Sequence, residues 1–244
     1  MTKKILHGEL AAYYDGIYHF KDYPKEAREL RRLAARYLGR RPRSLLDVGC
    51  GTGTHLAEFR KTVSVAGVDL SPDMLRVARR RLGKDARLVR GDMRWFSLDV
   101  RFDVVTCLFS AIAYMETRRD RDRAIANFYR HLNPGGVALV EGWVLPERWR
   151  GRGGDLVTYE DRGVRVARMT SSRREGNDSV VEYQFLVGER GKPIRHFTEV
   201  DRNPLVRAED MLGSFRRAGF RARVLLSGQY RNRGLYVGVR SVGS

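Results

Sequence analysis

The feature that most constrains the fold is a short apolar run that ends in a glycine turn. Residues 44–48 read Ser-Leu-Leu-Asp-Val, and Gly49, Gly51 and Gly53 follow. A strand, a glycine turn and a helix together open a βαβ nucleotide-binding unit. Glycine lets the backbone of such a turn approach a ligand closely. We therefore expect a ligand site here; the alternative is a tight turn that binds nothing.

The spacing of the turn and one acidic residue indicate the charge of that ligand. In the dinucleotide fingerprint Gly-x-Gly-x-x-Gly the third glycine would stand at position 54, which is Thr54, and Asp47 lies just ahead of the turn. A carboxylate in this place would repel a pyrophosphate. S-adenosylmethionine (SAM) carries an ammonium and a sulfonium and has no phosphate. The turn therefore favours SAM over a dinucleotide.

Strand and helix patterns alternate from residue 25 to residue 143, which predicts a doubly wound, mostly parallel sheet. The predicted strands are 44–48, 63–70, 86–90, 102–108 and 137–143, and the predicted helices are 25–38, 54–60, 71–82 and 118–132. We interpret residues 133–136, Asn-Pro-Gly-Gly, as a turn. In such sheets ligands bind beyond the carboxyl ends of the strands. The polar residues at or near those ends are Asp47, Asp69, Asp92, Ser110 and Glu141.

The pattern changes after the fifth strand. Strand-like runs at 156–160, 164–170, 179–187 and 194–200 are separated by turns, and this predicts an antiparallel meander. A helix at 208–218 and strands at 221–226 and 235–239 close the chain. We divide the chain into a core of residues 1–150 and 204–244 and an inserted sheet of residues 151–203. We expect the aromatic segment 7–23 either to cap a site on the core or simply to pack against it, and the inserted sheet to be a lid or a dimer-forming surface.

Composition restricts the partners. The net charge of +18 would attract an anion, either nucleic acid or a nucleotide-linked small molecule, although a solvated arginine-rich surface explains it equally well. The sequence has no long apolar run and no hydrophobic stretch of signal-peptide length in residues 1–10. Cys50 and Cys107 lack a paired spacing, so we expect reduced thiols in the cytoplasm. The histidines show no ligand spacing, and no metal site is expected.

Several motifs together resemble the class I SAM-dependent methyltransferases. They are Asp47-Val-Gly-Cys-Gly-Thr-Gly53, Val68-Asp-Leu-Ser71, Gly91-Asp-Met93 and Leu132-Asn-Pro-Gly-Gly136. A narrower resemblance spans nearly the whole chain and is to the nucleotide-sugar N-methyltransferases, which dimethylate the amine of dTDP-3-amino-3,6-dideoxyhexoses in desosamine and mycaminose biosynthesis. It is carried by Tyr14-Asp15, Lys21-Asp-Tyr23, Gly91-Asp-Met-Arg94, Phe109-Ser110, Glu141, Trp143, Arg174-Glu-Gly176, Arg195-His-Phe197 and Arg233-Gly-Leu235.

The resemblance implies roles for individual residues. Asp69 would hold the ribose hydroxyls, Asp92 the adenine amino group, and Asp47 with the glycine turn the methionine end. The full predicted cofactor set is Tyr14, Asp47, Gly49, Gly51, Thr52, Asp69, Leu70, Met74, Asp92, Met93 and Phe109. The predicted substrate-binding residues are Tyr23, Trp143, Arg174 and Arg233.

Three places in the chain depart from the family pattern where the sugar should bind. Residues 141–146 read Glu-Gly-Trp-Val-Leu-Pro in place of the family's Glu-Pro-Trp-Trp-Phe-Pro, so one tryptophan is lost. Residues 109–111 read Phe-Ser-Ala in place of the family's Phe-Ser-Ser. Ser171 stands where the family often has a histidine. Arg233 remains, and its guanidinium suits a pyrophosphate, although a plain surface arginine is the alternative.

Methyl transfer to an amine requires a neutral nucleophile held about 3 Å from the methyl group. Tyr14, Tyr114 and Glu141 are the polar groups best placed to orient it, although both tyrosines also suit simple packing. Because positioning alone accounts for much of the rate, a dedicated base is not required.

Three other functions remain alternatives. A tRNA or rRNA methyltransferase suits the charge, but residues 108–111 lack the Asn/Asp-Pro-Pro-Tyr/Phe segment of base-amine methyltransferases. A small-molecule O-methyltransferase would share the fold, as would a SAM-binding protein without catalysis.

Overall fold

Two β-sheets organise the chain in a computed structural model that describes residues 5–242 and all their side chains except that of residue 152. The strands are β1 Ser44–Val48, β2 Ser64–Asp69, β3 Arg87–Arg90, β4 Phe102–Cys107, β5 Leu132–Glu141, β6 Arg152–Asp161, β7 Val164–Glu175, β8 Asp178–Glu189, β9 Arg195–Pro204, β10 Phe220–Leu225 and β11 Leu235–Arg240. The larger sheet has the order β10-β11-β5-β4-β1-β2-β3, in which only β11 runs antiparallel to its neighbours. The expected doubly wound fold is confirmed.

Helices cover both faces of the large sheet, and local side chains start them. They are α1 Tyr14–Ile17, α2 Tyr23–Leu38, α3 Thr54–Phe59, α4 Pro72–Leu82, α5 Arg118–Arg130 and α6 Ala208–Arg217, with a 3₁₀ turn at Ala111–Tyr114. The carboxylate of Asp22 accepts the Lys25 N–H at 2.9 Å, and Ser71 accepts the Met74 N–H at 3.1 Å. Such N-caps stabilise a helix by about 1 kcal/mol each.

The core lies on both sides of β4, which is buried along its whole length. On one face, Phe128 of α5 and Phe215 of α6 are fully buried, and on the other Leu30 of α2 and Phe59 of α3 are buried to the same degree. Burial of each such side chain contributes about 1.5–3 kcal/mol. This rigid layer holds the carboxyl ends of β1, β2, β4 and β5 along one edge.

The smaller sheet has the order β6-β7-β8-β9 and is an antiparallel meander, as expected. One end of its inner face packs on the N-terminal segment, where Leu6, Leu10 and Ile17 contact Val166 and Phe185. The inserted sheet is thereby joined to the cap. Residues 1–4 and 243–244 of the predicted core lie outside the described residues.

The prediction that residues 133–136 form a turn between a helix and a strand is wrong, because these residues belong to β5. Helix α5 ends at Arg130, and β5 already begins at Leu132, which pairs with Phe102. The regular pairing resumes at Val137 opposite Val104, so the Asn-Pro-Gly-Gly residues form an irregularity within the strand. Gly135, with a φ of 75°, provides the left-handed conformation that this requires.

Candidate cofactor and acceptor site

The glycine turn lies between β1 and α3. Two of its positions require glycine, each for a different structural reason. Gly49 has a φ of 74°, and a Cβ there would lie 2.8 Å from the Cβ of Ala111. Gly51 has a φ of 55° and open space around it, and its N–H donates to Asp69 Oδ2 at 2.8 Å. The first glycine admits the neighbouring loop, and the second leaves room for a ligand.

Two predicted carboxylates flank this turn. Asp47 is buried and accepts a hydrogen bond from Thr106 Oγ1 at 2.7 Å, and burial raises its pKa to about 6. Asp69 accepts from the Gly51 and Ser71 N–H groups, both at 2.8 Å, and burial raises its pKa as well. Each carboxylate retains unused lone pairs. The pair therefore suits a ligand with one cationic group and several hydroxyls.

Asp92 is engaged by Arg94, a residue that sequence reasoning did not place in the site. Arg94 donates to Asp92 from its Nη2 at 2.6 Å and its Nε at 2.9 Å, and its Nη1 reaches Asp120 at 3.1 Å. Burial raises the pKa of Asp92, but the Arg94 hydrogen bonds outweigh it and hold that pKa below its usual value. Arg94 also lies 4.0 Å from the ring centre of Trp95. The sequence signal that could have indicated this pair is the position of the arginine two residues after the aspartate.

Apolar members of the predicted cofactor set surround these carboxylates. Met74 is buried in the first turn of α4, and Met93 packs half-buried against the core. Leu70 directly follows Asp69 and is 45% exposed, an apolar side chain at the edge of the site. Thr52 is buried within the glycine turn itself.

The N-terminal segment lies directly on the turn through Asp15, another residue missing from the predicted site. Asp15 Oδ1 accepts from Thr52 Oγ1 at 2.6 Å and from Thr54 Oγ1 at 3.0 Å, and its other oxygen pairs with Arg81. Ser71 Oγ also donates to the His7 carbonyl. The segment therefore covers the turn, and only the folded chain joins these distant residues.

Aromatic rings line the covered space. The Tyr14 ring lies 4.7 Å from Tyr18, and Tyr18 lies edge-on to Phe109 at 5.0 Å. His7 joins them, with its ring 5.9 Å from Tyr14 and 5.5 Å from Tyr114. Burial raises the pKa of both Tyr14 and Tyr114 well above 10. Their hydroxyls are therefore neutral, which suits orienting an amine and does not suit removing a proton from it.

Glu141 holds the loop after β4 in place. Its Oε2 accepts the Phe109 N–H at 2.8 Å, and its Oε1 accepts from Arg233 Nη1 at 3.1 Å. Phe109 and Ser110 have φ values of 51° and 59°, which are uncommon for residues other than glycine. Ser110 Oγ donates to the Gly142 carbonyl at 2.6 Å. One oxygen of Glu141 thus supports a strained loop, and the other holds Arg233.

Predicted substrate residues fall into separate places. Trp143 lies 5.6 Å from the Arg233 guanidinium, and its Nε1 donates to Ser179 Oγ at 2.8 Å. Tyr23 packs on His55 at 4.8 Å. Arg174 is exposed and donates to the Gly176 carbonyl at a hairpin of the smaller sheet. The structure groups Trp143 with Arg233 and places Arg174 at a hairpin of the smaller sheet.

A metal site and a membrane-spanning helix each place requirements on the described residues. Among residues 5–242, no group of three or more His, Cys, Asp or Glu side chains has the arrangement of a metal site. Within the same range, no helix combines the length and apolar character needed to cross a bilayer.

Residues 45–136 match the family described as Methyltransferase domain. The chain is 42% identical over 222 residues to dTDP-3-amino-3,4,6-trideoxy-alpha-D-glucopyranose N,N-dimethyltransferase of Streptomyces venezuelae, covering 90% of this chain and 92% of the relative. The chain therefore belongs to the class I SAM-dependent methyltransferases, and within them to the family of sugar N,N-dimethyltransferases that this relative represents.

Solved structures agree with this assignment. The crystal structure of Streptomyces venezuelae DesVI has a TM-score of 0.85 and 40% identity, covering 94% of this chain and 96% of that one. SAM-bound CalS10, an amino pentose methyltransferase from Micromonospora echinaspora, has a TM-score of 0.82 and 36% identity, covering 96% and 97%. SAM is the cofactor of this enzyme, as the glycine turn predicted.

Proposed function

We propose that this protein transfers methyl groups from SAM to the amino group of a dTDP-linked amino deoxyhexose. The observation that carries the proposal is the near full-length similarity to an enzyme of this activity, together with a SAM turn whose outer side is covered by aromatic residues. The substrate named for that relative is the first one to test.

SAM would lie across the carboxyl ends of β1, β2 and β4. We place its ammonium near Asp47 and its ribose hydroxyls on the unused lone pairs of Asp69. Arg94 occupies three of the four acceptor positions of Asp92, so one remains on Oδ2 for the adenine amino group. SAM supplies the electrophilic methyl group for an in-line displacement.

The acceptor amine would meet this methyl group below the aromatic cap. The neutral hydroxyls of Tyr14 and Tyr114 accept the hydrogens of the amine and thereby direct its lone pair. Glu141 acts indirectly, because it holds the loop at Phe109 and the side chain of Arg233 in place. In this scheme positioning contributes most of the rate, and no side chain is required as a base.

We further propose that the smaller sheet roofs the site and that its outer face joins two copies into a dimer. Four apolar side chains on that face are 48–59% exposed, namely Leu156, Met169, Leu186 and Val200.

The cysteines and the net charge bear on the surroundings of the protein. Buried Cys50 and Cys107 are free, which suits a reducing cytoplasm. The charge of +18 is spread along the chain, so we expect only weak, salt-sensitive binding of nucleic acid.

The test is turnover of SAM with a panel of acceptors. It includes dTDP-3-amino-3,4,6-trideoxyglucose, dTDP-3-amino-3,6-dideoxyglucose, tRNA and simple phenols, with mass detection of each added methyl group. We expect methylated amine only on the dTDP-amino sugars. Methylation of tRNA or of a phenol, with no amino sugar turned over, would refute the proposal. SAM binding without any turnover would favour a non-catalytic protein.

A further inference from the structure

The inner face of the smaller sheet has an apolar end and a polar end. Residues two apart on a strand point to the same side, and the register places Arg168 and Thr170 of β7 opposite Phe185 and Tyr183 of β8. In the next strand, Tyr183 lies opposite Glu199 of β9. The polar end therefore carries charged and hydroxyl side chains on a surface that is turned inward.

This polar end contacts the N-terminal segment and the 3₁₀ turn that follows β4, beside the place where the acceptor would bind. The Arg168 guanidinium lies 5.0 Å from the ring centre of Tyr18, which itself touches Phe109. Asp201 Oδ2 accepts from the Tyr114 hydroxyl at 3.5 Å. The sheet thus borders the acceptor space from above.

Two atoms on this surface are buried without a partner. Arg168 is 9% exposed, and its Nε has no hydrogen-bond partner within the described chain; the same is true of Thr170 Oγ1. A buried polar atom left without a partner costs about 1–3 kcal/mol. Both atoms lie on one strand, two residues apart, and on the same face of the sheet, from which Arg168 contacts Tyr18. A bound ligand would satisfy them.

The charges around these atoms indicate which part of the substrate they meet. The buried carboxylates of Glu199 and Asp201 lie on the same face as Arg168, and the electrostatic influence of all three reaches the Tyr18 hydroxyl. A pyrophosphate would be repelled by two carboxylates beside a single guanidinium. A sugar ring carries hydroxyls that both donate and accept, and it matches this mixture.

We propose that Arg168 and Thr170 form the sugar subsite, with Arg168 Nε and Thr170 Oγ1 each bonded to an oxygen of the amino-sugar ring. The proposal rests on the proposed function and specifies which surface recognises the sugar. It separates the sugar contacts on β7 from the pyrophosphate contact that the sequence predicts for Arg233. Neither β7 residue was a candidate from sequence.

The test is Thr170→Val, which keeps the shape of the side chain and removes only the hydroxyl. We expect kcat/KM for the dTDP-amino sugar to fall about three- to tenfold, the cost of one hydrogen bond. The melting temperature should stay equal or rise, since no internal bond is lost. Thr198→Val, on the exposed outer face, is the matched control and should leave kcat/KM unchanged.

A second variant and a second ligand separate recognition from structure. Arg168→Lys keeps the charge and removes the Nε donor, and we expect a fall of about tenfold or more for a charged donor. Inhibition by dTDP, which lacks the hexose, should stay at the wild-type level in both variants. Wild-type kcat/KM in Thr170→Val, or equal loss of dTDP and amino-sugar binding, would overturn the subsite. If wild-type enzyme methylates no amino sugar, the proposed function fails first and this subsite with it.

Discussion

Asp47 should destabilise the ligand-free protein, and Asp47→Asn should relieve that cost. The side chain is 2% exposed, and burial raises its pKa from 3.8 to about 6. The unfolded chain therefore releases this proton near pH 4 and the folded chain near pH 6. Between these values the unfolded state binds fewer protons, so the free energy of unfolding falls as pH rises.

The size of the effect follows from that shift. A shift of about two pKa units corresponds to about 3 kcal/mol, fully present above pH 6 and absent below pH 4. Asparagine keeps the shape, stays neutral, and still accepts the Thr106 hydroxyl. In a chain of 244 residues the variant should melt about 5–10 °C higher at pH 8. Its affinity for SAM should fall at least about tenfold, because it cannot pair with the ammonium.

Thermal melting between pH 5 and pH 8, with and without S-adenosylhomocysteine, measures both quantities. The melting difference between Asp47→Asn and wild type should grow from pH 5 to pH 8 and shrink when ligand is added. Asp99→Asn removes an exposed carboxylate and is the control. A melting difference between Asp47→Asn and wild type that does not change with pH would refute this reasoning.

Three further predictions use the same logic. Asp69→Ala should weaken SAM binding by roughly 1.5–3 kcal/mol, because its carboxylate is assigned to two hydroxyls, and calorimetry that finds unchanged affinity in a folded variant would reject that assignment. Arg233→Ala should raise the KM for the nucleotide sugar by roughly ten- to a hundredfold without changing SAM affinity. Arg231→Ala, at an exposed arginine, is the control and should do little. If Arg233→Ala keeps the wild-type KM, Arg233 does not bind the pyrophosphate. Leu186→Glu on the outer sheet face should convert a dimer to a monomer in analytical ultracentrifugation, and a wild type that is monomeric at all concentrations would exclude the dimer.

The sequence alone determined the elements whose causes are local. A run of apolar residues, a glycine turn and an acid at position 47 act within a few residues of one another, so they predict strand, turn and ligand charge together. The same holds for the start of α4, where the Ser71 hydroxyl accepts the N–H of Met74 three residues on. Alternation of such elements was enough to predict the doubly wound sheet.

Only the tertiary structure decided which polar groups meet. Tyr114 and Asp201 are 87 residues apart, and Arg233 and Glu141 are 92 apart, yet both pairs lie within hydrogen-bond distance. Strand order and register bring them together, and neither can be deduced from local periodicity. The turn predicted at 133–136 failed for the same reason, since pairing with β4 draws those residues into a strand. The buried Arg168 shows the limit most clearly, because on a polar strand its pattern looks like that of any exposed arginine.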